Sequence, residues 1–301
     1  MTSIFDAAVP RARRIAIRGC LAFLFVLSVP VVATAGPWVL GPREFQSEVR
    51  GSYFSANTFL DDNGERPPLG ATFEHRSLRW ANELGWKKRM SFRFEIPFEN
   101  QSRILGTGVQ PENTRTGLSD LLVGFNVRLI DGTTALSLEA DWKAPLGYNA
   151  DLLNPLGNGH QEAFGALNLG ITIPAIQGFV QAAGGYRAVI DSHDQPDDPN
   201  NNTLASADGG VWLGSSVLLS GAYRGQFEAE DAQSTIPAST EHLAGPQVLY
   251  RVDDFLDVFA GSLHTVSGKN VLHRDVYYVG ITTHKTHYDR LRGFVGSKKR
   301  S

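Results

Sequence analysis

Residues Thr116 to Lys143 read TGLSDLLVGFNVRLIDGTTALSLEADWK, two alternating runs on either side of Asp131-Gly132. An Asp-Gly pair flanked by alternating apolar residues is the strongest short-range hairpin signal. With those two residues as the loop, Val127 faces Leu136, Phe125 faces Leu138, Val123 faces Ala140 and Leu121 faces Trp142, all on one apolar face. The other face pairs Asn126 with Ser137, Gly124 with Glu139, Leu122 with Asp141 and Asp120 with Lys143. The last pair has opposite charges, placed where cross-strand attraction helps. The apolar face runs for about ten residues, the length a tilted strand needs to cross a bilayer. Two readings fit the hairpin alone. Either lipid lies on one face and a wet lumen on the other, or the sheet is half-buried in a soluble β-sandwich, which alternates in the same way.

The ends and the composition narrow the choice. Residues 1–35 read as a secretory signal peptide. Arg11, Arg13, Arg14 and Arg18 precede an apolar run from Cys20 to Val32, and Ala33-Thr34-Ala35 is a small-residue cleavage site. Cys20 is the only cysteine, so a mature chain from Gly36 holds no disulfide and no thiolate metal site. Removing four Arg and one Asp with the peptide takes the formal charge from -3 to -6. That acidity argues against nucleic acid as a partner. No other apolar run approaches the length of a membrane-spanning helix, so membrane residence requires a closed barrel.

Along the chain, strands and connections alternate. Expected strands are Glu44–Ala56, Thr72–Trp86, one beginning at Phe92, the two of the hairpin, Gln161–Ile173, Phe179–Ile190, Thr203–Leu213, and four more carrying Val217, Val248, Leu256 and Tyr277. That makes twelve, an even number. Short turns alternate with long loops, the last of these being Thr265–Arg274, as in bacterial outer-membrane barrels. Pro97 weakens a ladder bond and is expected at a strand end near the rim. Trp86, Phe98, Trp142, Tyr186, Tyr223 and Tyr250 sit at strand ends, where interfacial girdles form. The fold expected is therefore an all-β, transmembrane, antiparallel up-and-down β-barrel over residues 36–288. A basic tail follows over 289–301, and either Tyr288 or Phe294 stands in for the terminal aromatic residue or the last strand lies elsewhere. The expected location is the bacterial outer membrane.

Gly117-Leu118-Ser119-Asp120 at the start of the hairpin resembles the "G-x-[GS]-D" strand opening of the outer-membrane family named for the MetA pathway of phenol degradation. Lys143-Ala144-Pro145-Leu146-Gly147 resembles that family's "K-x-P-x-G". The resemblance implies an outer-membrane transporter of small, often aromatic compounds, with no catalytic set.

The inward faces expected from alternation supply Glu48, Arg50, Arg79, Glu83, Arg93, Glu95, Asn126, Arg128, Glu139, Asp141, Gln181, Arg187, Arg224, Gln226, Arg251 and Asp257 as pore-lining residues. They form either a channel whose charges set selectivity or a set of paired plugs, because unpaired lumen charges are costly. Arg79, Arg93 and Arg128 are expected in one sector of the wall, with Glu139 and Asp141 in the next. The expected function is a channel for a small-molecule solute, with a structural or adhesive barrel as the alternative. Expected partners are outer-membrane lipid, lipopolysaccharide and the barrel-assembly machinery. A barrel-embedded lipid hydrolase is the least favoured reading. His264 and Ser267 are near in sequence but lack an orienting third group, so no enzyme is expected. No cofactor or metal is expected either, the acidic run Asp191–Asn202 reading as a solvated loop.

Overall fold

The computed structural model describes residues 37–105, 114–148, 156–157, 159–190, 201–228 and 238–285. The expected signal peptide, most of the acidic run and the tail with Tyr288 and Phe294 lie outside them. The described chain is all-β. In order the strands are β1 (Phe45–Leu60), β2 (Pro68–Lys87), β3 (Met90–Leu105), β4 (Arg115–Leu118), β5 (Asp120–Ile130), β6 (Thr134–Pro145), β7 (Glu162–Ile173), β8 (Gly178–Val189), β9 (Asn202–Leu213), β10 (Val217–Glu228), β11 (Thr240–Arg251), β12 (Leu256–Lys269) and β13 (Val271–Lys285). Each pairs antiparallel with its chain neighbour, and β1 pairs with β13, so the sheet closes on itself. β4 and β5 share one place in the wall, both against β3, which makes a barrel of twelve. Among the described residues no helix is long and apolar enough to cross a membrane.

Burial decides between lipid and water outside. On β7 the outward residues Leu167 and Leu169 are 53% and 44% exposed, whereas the inward Asn168 and Thr172 are 4% and 6% exposed. A soluble sheet would bury the leucines and wet the asparagine. The inversion recurs around the wall, with Leu78, Leu138, Leu219, Val248 and Val279 exposed and Asn126, Ser137, Glu139 and Asp257 buried. Aromatic residues mark two levels of the outer face. Phe45, Trp86 and Tyr250 lie at the short-turn end, while Phe98, Trp142 and Tyr186 each lie eight residues beyond the short-turn start of their strands. Eight residues on a strand tilted about 40° rise roughly 20 Å, close to the height of an outer-membrane apolar band.

The structure amends three local expectations. The hairpin's pairing is offset by two residues, with Val127 opposite Leu138 and Phe125 opposite Ala140, because the loop takes Asp131 to Thr133 and the ladder bulges between Arg128 and Ile130. Gly132 adopts φ 136°, open to a residue without Cβ. A slip of two leaves every side chain on its expected face. Pro97 sits within β3 rather than at its end. The ladder from β3 shifts by one residue between Phe98↔Leu118 and Glu95↔Leu122, opposite Pro97, which has no N–H to donate. The expected loop Thr265–Arg274 is strand instead, and the chain reverses at Asn270, a left-handed residue at φ 53°.

These faces predict opposite tolerances. Arg at Leu167, midway along β7 on the outer face, lowers the unfolding free energy in lipid vesicles by about 2–4 kcal/mol. Arg at the inward Ala183, which borders a cavity, lowers it by less than about 1 kcal/mol. Urea titration of tryptophan fluorescence measures both; equal costs would mean that lipid does not surround the barrel.

Candidate functional site: the charged lumen

All sixteen expected pore residues lie on strands with the inward parity. A barrel of twelve is too wide for its own side chains to fill, and the inward polar groups pair with one another along the wall. Arg79 meets Glu95 at 3.2 Å and Arg50 meets Glu48 at 2.8 Å. Arg224 meets Asp208 at 2.8 Å, Arg251 meets Asp257 at 3.4 Å, and His284 Nε2 lies 3.0 Å from the same Asp257. Glu83 accepts from Ser91, Asn168 donates to Glu139 at 3.1 Å, Gln181 donates to Asp208 at 3.2 Å and Gln226 donates to Asn202 at 3.1 Å. Arg187 meets Glu162 at 3.4 Å, and Lys143 joins Glu162 at 2.9 Å to Asp120 at 3.1 Å. The Asp120–Lys143 attraction expected across the hairpin thus survives the register slip as a diagonal pair.

The expected separation of basic and acidic sectors is not what forms. Arg93 on β3 reaches over β5 to pair with Glu139 at 2.6 Å and with Asp141. The residue between them in register is Gly124, and a Cβ there would run into the Asp141 carboxylate. The glycine leaves the space through which the guanidinium crosses. Arg128 is also not a free selectivity charge. It is 5% exposed, pairs with Asp131 at 2.8 Å and donates to the backbone carbonyl of Val39.

That last bond belongs to a feature the strand pattern did not reveal. Residues Pro37 to Gly41 tuck inside the barrel at the short-turn end, with Val39 and Leu40 almost fully buried. Trp38 packs edge-on to Phe179, with ring centroids 6.2 Å apart, in a cluster with Ala135, Trp212 and Leu218. The available signal was an apolar PWVL run directly after the expected cleavage site with no alternation. At the other end the described parts of the connection between β6 and β7 reach into the barrel. Leu156 is buried, its carbonyl accepts from Ser119 Oγ at 2.5 Å, and Tyr148 donates to Asp120 and accepts from the Gly159 N–H at 2.7 Å. Burial and the bond to Asp120 push the Tyr148 phenol upward from its ordinary pKa. Between the two inserts lie two cavities of about 470 and 440 Å³. Arg224 borders both, and Arg50, Arg79, Lys143 and Arg187 border the second. Of the lumen residues, Lys143, Glu162, Asp208, Glu241 and Arg274 were absent from the sequence set. Glu162 shares the parity of Asn168 and was legible; Glu241 and Arg274, which pair at 2.6 Å, fell in stretches read as a strand of uncertain start and a loop.

A strict test of the crossing guanidinium follows. Gly124→Val places a side chain in its path and lowers unfolding free energy by about 2–4 kcal/mol through overpacking and a broken buried pair. Gly184→Ala, on the outer face of β8 where an added Cβ meets nothing within 4 Å, changes it by less than about 0.5 kcal/mol. Urea midpoints at unchanged slope separate the two.

No protein-family model and no curated protein matches the sequence. Among solved structures, an outer-membrane channel from Pseudomonas putida F1 superposes with a TM-score of 0.70 at 12% identity, over 85% of this chain and 100% of that one. The NanC porin superposes with a TM-score of 0.50 at 11% identity, over 79% of this chain and 98% of that one. At such identities the likeness is one of fold, and the fold of this chain is that of an outer-membrane β-barrel.

Proposed function

We propose that the chain is a passive outer-membrane channel for small, weakly acidic organic solutes. The observation that carries this reading is the middle of the lumen, where Arg224 on one wall and Arg50 and Arg79 on another border the same cavity. Arg224 remains 45% exposed and Arg79 34% exposed although each has a carboxylate partner. Arginines held in place by a carboxylate yet open to the cavity present N–H groups to a passing anion or dipole. The guanidinium of Arg50 lies 5.2 Å from the ring centroids of both Phe259 and Tyr278, and these cation–π contacts hold it against the wall. The resemblance at Gly117–Asp120 and Lys143–Gly147 favours small aromatic compounds, and a phenolate or aromatic carboxylate satisfies both features. Residues Pro37–Gly41 narrow the exit and make conductance low.

Arg79→Gln with Arg224→Gln moves the reversal potential toward cation preference in a salt gradient across a planar bilayer. Trp38→Ala, which empties the aromatic anchor of the inner insert, raises single-channel conductance without reversing that preference. Absence of conductance in both the parent and the Trp38 variant sinks the channel and leaves a structural or adhesive barrel.

A further inference from the structure

The outward face of β12 and β13 carries a hydrogen-bonded chain that conduction does not use. Ser262 Oγ lies 2.9 Å from His264 Nε2, and His264 Nδ1 lies 2.8 Å from Asp275 Oδ1. The strand geometry produces it directly. Ser262 and His264 are two apart, so they share a face, and Asp275 is the cross-strand partner of His264. Ser267, nearer to His264 in sequence than Asp275, stands opposite His242 beyond the bulge in β12. The orienting third group, Asp275, comes from the next strand.

A histidine–aspartate contact alone would be an ordinary cross-strand pair. The serine on the other ring nitrogen adds order. In the tautomer with its proton on Nδ1, His264 donates to Asp275 and accepts from the Ser262 hydroxyl at Nε2, the arrangement of an activated nucleophile with an oriented base. The site is also open, since the His264 and Asp275 side chains are 42% and 47% exposed. Its level matters as much as its geometry. His264 lies eight residues from the short-turn start of β12, the same distance that sets Phe98, Trp142 and Tyr186. The Tyr277 ring packs edge-on to the imidazole at 6.1 Å. Aromatic girdles mark the headgroup boundary, where the ester linkages of lipids lie. Beside Ser262 on this face the neighbouring strands present Pro246 and Gly221, and a Cβ added at Gly221 would meet nothing within 4 Å. That low strip leaves room for an acyl chain.

We propose that Ser262, His264 and Asp275 form a lipid-facing hydrolase site for long-chain acyl esters of the surrounding leaflet. The Ser262 oxygen bonds to the ester carbonyl carbon as its proton passes to His264 Nε2. The carbon–oxygen bond to the lipid alcohol then breaks, and His264 returns the proton to that leaving oxygen. Water, deprotonated by the same nitrogen, attacks the acyl-serine, releasing the fatty acid and restoring the hydroxyl.

The full-length protein is refolded into vesicles of phosphatidylethanolamine and phosphatidylglycerol, and separately into vesicles containing lipopolysaccharide, and released fatty acid is measured. The parent liberates acid from at least one of the two, and which one identifies the leaflet lipid attacked. Ser262→Ala and His264→Asn each lower release at least about 100-fold while retaining the heat-modifiable gel mobility of a closed barrel. An alkyl fluorophosphonate adds covalently to Ser262 in the parent and not in His264→Asn, a readout independent of turnover. No acid from either vesicle together with no label on Ser262 overturns the assignment, as does full activity in Ser262→Ala.

Discussion

A sheet edge cannot face hydrocarbon, because its unpaired N–H and C=O groups would find no water there. In this chain the pairing of β1 with β13, running from Phe45↔Lys285 to Leu60↔Val271, removes the last edge. Everything else is built on that closure. Twelve places in the wall enclose more space than inward side chains can fill by packing alone. The interior is therefore polar, and its polar groups must satisfy one another.

Most of them do so by reaching from one strand to another, although Arg50 pairs with Glu48 along β1. Arg93 passes over Gly124 to Glu139 and Asp141, Lys143 ties β5 to β7 through Asp120 and Glu162, and Arg274 crosses to Glu241. Some of these links run straight across the ladder, as Arg93 to Asp141 does, and others run diagonally, as Lys143 to Asp120 does. Backbone pairing and these links together brace the wall, and the prolines in strand interiors, Pro97 and Pro246, each lie where the ladder on one of their two sides is interrupted.

Much of this was legible because alternation has a period of two. Parity places Asn126, Glu139 and Asp257 inside and Leu138, Leu167 and Val279 outside whatever the register, and the slip of two in the opening hairpin changed no face. Features without a period were not legible. Pro37–Gly41 has no alternation, and its burial depends on Phe179 and Trp212, far along the chain. The pairing of Arg93 with Asp141 requires knowing that Gly124 falls between them in register. The link from His264 to Asp275 likewise depends on where β12 turns, and a stretch read as a loop concealed it.

The inner insert precedes β1 by only a few residues, and β1 is also the strand that completes the barrel. Filling the lumen and sealing the wall are therefore successive acts of one short piece of chain. Because Trp38 stands before the seam in sequence yet inside it in space, the wall must zip around a segment already in position, or that segment must thread a finished ring. The first route needs only the leash at Gly41 to Arg43 to fold back over the short stretch between Trp38 and Phe45.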